Sequence, residues 1–92
     1  MIFMADNPEY KTVLFPVNLM KKDIPDIINK TAQVNGLVTI AQGNSVMSAK
    51  SLLGLLNVDY DKPMNMLIQA YITDEQLNEL KKYEVTELTL EF

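Results

Sequence analysis

The sequence predicts an α+β fold: an open-faced sandwich in which an antiparallel sheet carries three helices on one face, with an extra C-terminal strand. Three observations predict it. Apolar and polar residues alternate over Tyr10 to Asn18, over Met64 to Ile72 and again in the closing "VTELTLEF"; the stretch from Ile24 repeats at helical spacing; and Gln42-Gly43-Asn44 is a turn between two apolar runs. At 92 residues the chain is one small domain, read as an N-terminal extension over 1–9 and a domain over 10–92.

Taken in order, Tyr10 to Asn18 is a strand with Val13, Phe15 and Val17 on one face. Pro16 has no N–H to give to a ladder, which assigns this strand to an edge. Asp23 is the N-cap expected for the first helix, and Ile24, Ile27, Ile28, Thr31 and Val34 follow on one face until Gly36 supplies the stop, so the helix is expected over 24–35. Leu37 to Ala41 and Ser45 to Ala49 form a hairpin. Ser51 caps a short helix that Asn57 closes. After a polar loop comes the strand Met64 to Ile72, whose Met64 and Met66 are core residues. Thr73-Asp74-Glu75-Gln76 is a capping box that opens a last helix, reaching about Tyr83. From Val85 the tail alternates again, with Leu88, Leu90 and Phe92 opposite Thr89 and Glu91. This terminal strand either lies antiparallel on the outer edge of the first strand or pairs with a second copy to give a homodimer.

Absent residue types narrow the chemistry. There is no histidine, arginine, cysteine or tryptophan, and all eight basic residues are lysines. Thiol catalysis, disulfides and imidazole proton or phosphoryl transfer are therefore excluded, and no enzyme activity is expected. A net charge of −4 without a basic run argues against nucleic acid. Asp59-Tyr60-Asp61 is too short for a calcium loop and reads as a solvated turn; no metal or other cofactor is expected. Asp74 and Glu75 favour the positive end of their helix, and Lys21-Lys22 reads as a solvated pair. No window supplies the roughly eighteen apolar residues of a membrane span. The N-terminus also lacks the basic start and apolar run of a signal peptide, so a cytoplasmic location is expected.

One stretch stands out, "MSAKSLLGLL" over 47–56. Leu52, Leu53, Leu55 and Leu56 cannot all face the core from one short helix, whose apolar stripe spans about 100°. Some of the four are thus expected outside, as a surface for a protein partner.

Ser48-Ala49-Lys50-Ser51-Leu52 with Gly54 resembles the segment around the regulatory serine of the HPr family, the phosphocarrier proteins of the bacterial sugar phosphotransferase system. "NGLVTIAQGNSV" resembles the hairpin before that segment, and the likeness runs from about Tyr10 to Tyr83. It implies the HPr-like open-faced sandwich, with Leu55 as the core leucine of the short helix and Leu52, Leu53 and Leu56 then outside, beside Met20 and Lys21. The family carries phosphoryl on a histidine in a G-x-H-A-R-P-type stretch. That position falls here at Met20 or Lys21, and the arginine near Lys22 or Asp23, in "NLMKKDIPDI". Phosphoryl-carrier activity is therefore not expected. The regulatory serine is kept as Ser51, a combination similar to the catabolite-repression HPr-like proteins. The resemblance then implies a binding or regulatory module whose partner is a transcriptional regulator or a phosphotransferase-system protein. Partner-binding residues would be Met20, Lys21, Lys50, Ser51, Leu52, Leu53 and Leu56. Two alternatives go with it: a switch operated by kinase phosphorylation at Ser51, with Lys50 as a nearby cation, and a structural homo-oligomer.

Overall fold

The strand Met64–Ile72 organises the sheet, because its alternation is complete: Met64, Met66, Ile68, Ala70 and Ile72 are buried, and the residues between them are exposed or half-exposed. The computed structural model describes residues 7–85. Its elements are β1 (Glu9–Val17), a 3₁₀ turn (Lys21–Asp23), α1 (Ile24–Ala32), β2 (Asn35–Gln42), β3 (Ser45–Ser48), α2 (Leu52–Leu56), β4 (Met64–Ile72) and α3 (Asp74–Lys81). The fold is α+β, a four-stranded antiparallel sheet with three α-helices. Strand order is β1-β4-β2-β3, with every neighbouring pair antiparallel, so β4 is interior and the proline-bearing β1 lies at an edge.

All three helices cover one side of this sheet. Phe15 and Val17 of β1 and Val38 and Ile40 of β2 join the buried row of β4, and Ile24 and Ile27 of α1, Leu55 of α2 and Leu80 of α3 close over them. Burying one such side chain contributes about 1.5–3 kcal/mol. Thr31, also buried on α1, shares its one hydroxyl hydrogen between the Ile27 carbonyl at 2.8 Å and the Ala49 carbonyl at 3.0 Å. It thereby ties α1 to the segment that leads into α2. No helix among the described residues is long and apolar enough to cross a membrane.

The first helix departs from expectation at both ends. Asp23 makes no side-chain bond to α1; its carboxylate accepts from the Met20 N–H at 2.9 Å and so caps the 3₁₀ turn that precedes the helix. The helix ends at Ala32, three residues early, because Asn35 and Gly36 already belong to β2. Gly36 is not a helix stop. It lies opposite Ala70 of β4 with φ +143°, where a β-carbon would stand 2.5 Å from the Ala70 Cα. The last helix likewise ends at Lys81, and β1 starts at Glu9, one residue inside the expected extension.

Past α3 the chain returns to the sheet. The Asn18 N–H donates to the Tyr83 carbonyl and the Val85 N–H to the Pro16 carbonyl, each at 3.0 Å, around an antiparallel bridge between Val17 and Glu84. Pro16 supplies an acceptor here; having no N–H, it cannot return the reciprocal bond to residue 85. The rest of the expected terminal strand, residues 86–92, and the first six residues of the expected extension lie outside the described residues.

Candidate functional site

α2 is only five residues long, too short to stand without tertiary support. Four attachments supply it. At its start the Ser51 backbone is extended and the Ser51 Oγ accepts from the Gly54 N–H at 3.2 Å. At its end the Tyr60 hydroxyl donates to the Leu55 carbonyl at 2.6 Å, an oxygen that also accepts from the Val58 N–H at 3.3 Å. Leu55 enters the core with no exposed surface. Gly54 brings the helix backbone against β3, and a β-carbon there would lie 2.5 Å from the Ser48 carbonyl oxygen.

These attachments decide where the other leucines point. At about 100° per residue, Leu52, Leu56 and Leu53 lie about 60°, about 100° and about 160° around the helix from Leu55, all on the same side. Their exposures follow: Leu53 is 73% exposed, Leu52 55% and Leu56 51%. The sequence expectation for all four leucines agrees with these positions.

Met20, 53% exposed, and Lys21 line an open depression whose other wall is Val58 to Asp61, the segment leaving α2. The structure thus places them by the C-terminal end of α2, while Ser51 sits at the other end. α2 is about 7.5 Å long, so one partner surface of ordinary width spans both. Lys50 is engaged elsewhere: its ammonium donates to the Val34 carbonyl, just past the end of α1.

Two contributors to this site carry no sequence signal. Tyr60 sits between two acids in what reads as a solvated turn, yet it is half-buried under α2, and burial raises its hydroxyl pKa above the ordinary tyrosine value. Gln42 clamps the same loop, its Oε1 accepting from the Asp59 N–H at 2.9 Å and its Nε2 donating to the Asp59 carbonyl at 2.7 Å. The flanking acids do behave as a turn: the Asp61 N–H donates to Asp59 Oδ1 at 3.1 Å, and Lys62 stands 3.7 Å from the Asp59 carboxylate.

The densest charge cluster lies between α1 and α3. Lys30 bridges Asp26 at 2.9 Å and Glu79 at 3.4 Å, Lys82 pairs with Glu79 at 3.0 Å, and the Tyr83 hydroxyl donates to Asp26. The Tyr83 bond, then Lys30, holds the Asp26 carboxyl below its ordinary range, while Lys82 and Lys30 lower Glu79 and Asp26 raises Lys30. Burial first, then Asp26, raises Tyr83. These partners bond to one another and join two helices, and Asp26, Lys30 and Glu79 line an open depression there. Among the described residues no three acid, histidine or cysteine side chains gather as a metal site. Comparison with protein-family models, with curated proteins and with solved structures gives no match to this chain.

Proposed function

We propose that the chain is an HPr-like binding and regulatory module without phosphoryl-carrier activity, which offers the leucines of α2 to a protein partner. One observation carries the reading. A helix pinned at Ser51, Gly54, Leu55 and Tyr60 turns three of its four leucines to solvent. Their exposure does nothing for the core, and contiguous exposed apolar side chains mark interaction surfaces. The order strand, helix, strand, strand, helix, strand, helix supports the HPr-like assignment, as does the serine-capped "SLLGLL". The chain has no histidine to carry phosphoryl.

The test is a titration of the ¹⁵N-labelled chain with a transcriptional regulator of carbon catabolite control, and separately with phosphotransferase-system proteins. Expected are shift changes centred on residues 52–56 and on Met20 and Lys21, with binding lost in Leu53→Lys. Binding that Leu53→Lys leaves intact removes the reading.

A second reading, supported by the geometry of Ser51, is a switch. Its Oγ is the N-cap acceptor for the Gly54 N–H, directly beside Leu52 and Leu53, so a phosphate there changes both the charge and the cap of the presented helix. Intact mass and a phosphosite map after incubation with ATP and a Gram-positive HPr kinase decide it. One phosphate confined to Ser51, and absent in Ser51→Ala, is the expected result; no phosphate leaves Ser51 as a cap.

A further inference from the structure

Among the described residues, the helices leave one side of the sheet uncovered. Tyr10 and Tyr71 face each other across β1 and β4 on this side, their rings meeting edge-on with centroids 5.3 Å apart. Leu14 faces Leu67 in the same register, and Ala41 faces Val46 across β2 and β3. Tyr10, Tyr71, Leu14, Val46 and Leu37 of β2 are each more than half exposed. The residues between them are neutral too, among them Thr12, Thr39, Asn65 and Gln69. No residue that the four strands point to this side is Asp, Glu or Lys, in a chain that is 22% charged.

We infer that this face is a self-association surface, on which a second copy of the chain packs its own open sheet to give a helix–sheet–sheet–helix dimer. Charge selects the occupant. A charged partner would bury its ionic groups here with no counter-charge to meet them. A second copy brings a face as neutral as the first and leaves both net charges of −4 away from the contact. Two-fold packing needs one patch that is complementary to itself. The Thr, Asn and Gln side chains meet this need, since each can both donate and accept, and aromatic and leucine side chains fill the space between two sheets about 10 Å apart. Charge depletion with aromatic enrichment is also the pattern found at interface cores.

Area sets the strength. Four strands about 4.8 Å apart, paired over about seven residues of about 3.3 Å each, present about 450 Å² in projection. Two such faces come to about 900 Å² before side-chain relief is added, close to the lower limit of specific interfaces at about 1,000 Å². The dimer is therefore weak and concentration-dependent. This surface lies on the opposite side of the sheet from α2, so the two can be tested separately.

The experiment is sedimentation equilibrium of the full chain from about 10 µM to about 1 mM, the span of weak association. Expected is an apparent mass rising from one chain toward two. Leu14→Glu and Leu37→Lys change only exposed side chains, so both should keep the melting temperature and remain at one chain mass throughout. Leu53→Lys should dimerise as the unaltered chain does. One chain mass at every concentration overturns the inference, and so does a dimer that survives both charge substitutions. Loss of the dimer in Leu53→Lys assigns the contact to α2 instead. A monomer that dimerises only after removal of residues 1–6 shows that the chain's own N-terminus covers the face, which also overturns it.

Discussion

Gly54 lies against Ser48 so closely that a β-carbon on the glycine would stand 2.5 Å from the Ser48 carbonyl oxygen and 3.0 Å from its nitrogen. Both are backbone atoms and cannot rotate away. Gly54→Ala should therefore push α2 off β3, costing about 1–3 kcal/mol as overpacking does. Each kcal/mol lowers the melting temperature by about 4–8 °C in a domain of this size. Alanine favours helix over glycine by about 1 kcal/mol, so an unchanged or raised melting temperature would show that α2 is not seated as described.

Gly36 and Ala70 form a second close approach, this one inside the sheet. The glycine has φ +143°, and a β-carbon would lie 2.5 Å from the Ala70 Cα, 2.6 Å from its Cβ and 2.7 Å from the Gln69 carbonyl oxygen. Gly36→Ala is expected to cost more than Gly54→Ala, because strained backbone adds about 1–3 kcal/mol to the clash. Adding Ala70→Gly should not rescue it, since the Cα and the carbonyl remain. Chemical denaturation of the single and double variants measures this directly.

Tyr60 and Tyr83 give the fold an alkaline limit. Burial holds both hydroxyls above the ordinary tyrosine value of 10.0, with Asp26 adding to the shift at Tyr83. The folded state binds these protons more tightly, so the stability they supply is complete below about pH 10. It is lost as pH rises through the raised folded values. Tyr60→Phe should lower stability by about 1 kcal/mol at neutral pH through the lost Leu55 bond, and should flatten the alkaline decline. Melting temperatures from about pH 8 to about pH 11 compare the two slopes; equal slopes would exclude Tyr60 as a contributor.

At the acid side the carboxylates of α1 and α3 act in the opposite sense. Asp26 lies below its ordinary 3.8 because of the Tyr83 hydroxyl and then Lys30, and Glu79 lies below 4.5 because of Lys82 and then Lys30. Their contribution is present above those ordinary values and is lost as pH falls through the lower folded ones. The groups are largely solvated, so the effect is modest. Asp26→Asn should shallow the fall of melting temperature below about pH 4. Lys30→Met should shallow it only in part, since it removes the second cause at both acids and leaves the Tyr83 and Lys82 bonds in place.

Much of this architecture was legible in the chain. The alternation of β4 set its bounds, the Thr73 to Gln76 box opened α3 where expected, with both reciprocal bonds formed, and the width of an apolar stripe put some α2 leucines outside, while the choice of Leu55 as the buried one came from the family resemblance. The two misreadings have different causes. Glycine commonly ends helices, and the sequence alone gives Gly36 that role; the reason for a glycine here is the Ala70 backbone, which lies 34 positions away in sequence and is visible only once β2 and β4 pair. Spacing assigns Asp23 to the helix after it, yet it caps the turn before it, a choice between two local bonds that spacing does not distinguish.

What the sequence by itself determined, then, is what depends on local periodicity and on the inventory of side chains: the element order, the inward row of each strand, and the absence of imidazole, guanidinium and thiol chemistry. Tertiary structure alone decided what depends on register. It turned the Lys50 ammonium to Val34, set the Tyr60 hydroxyl under α2, and aligned four separately unremarkable strands so that their outward residues form one uncharged face. The physical reason is that periodicity is written within a segment, whereas register is a free-energy minimum over pairs of segments far apart in the chain.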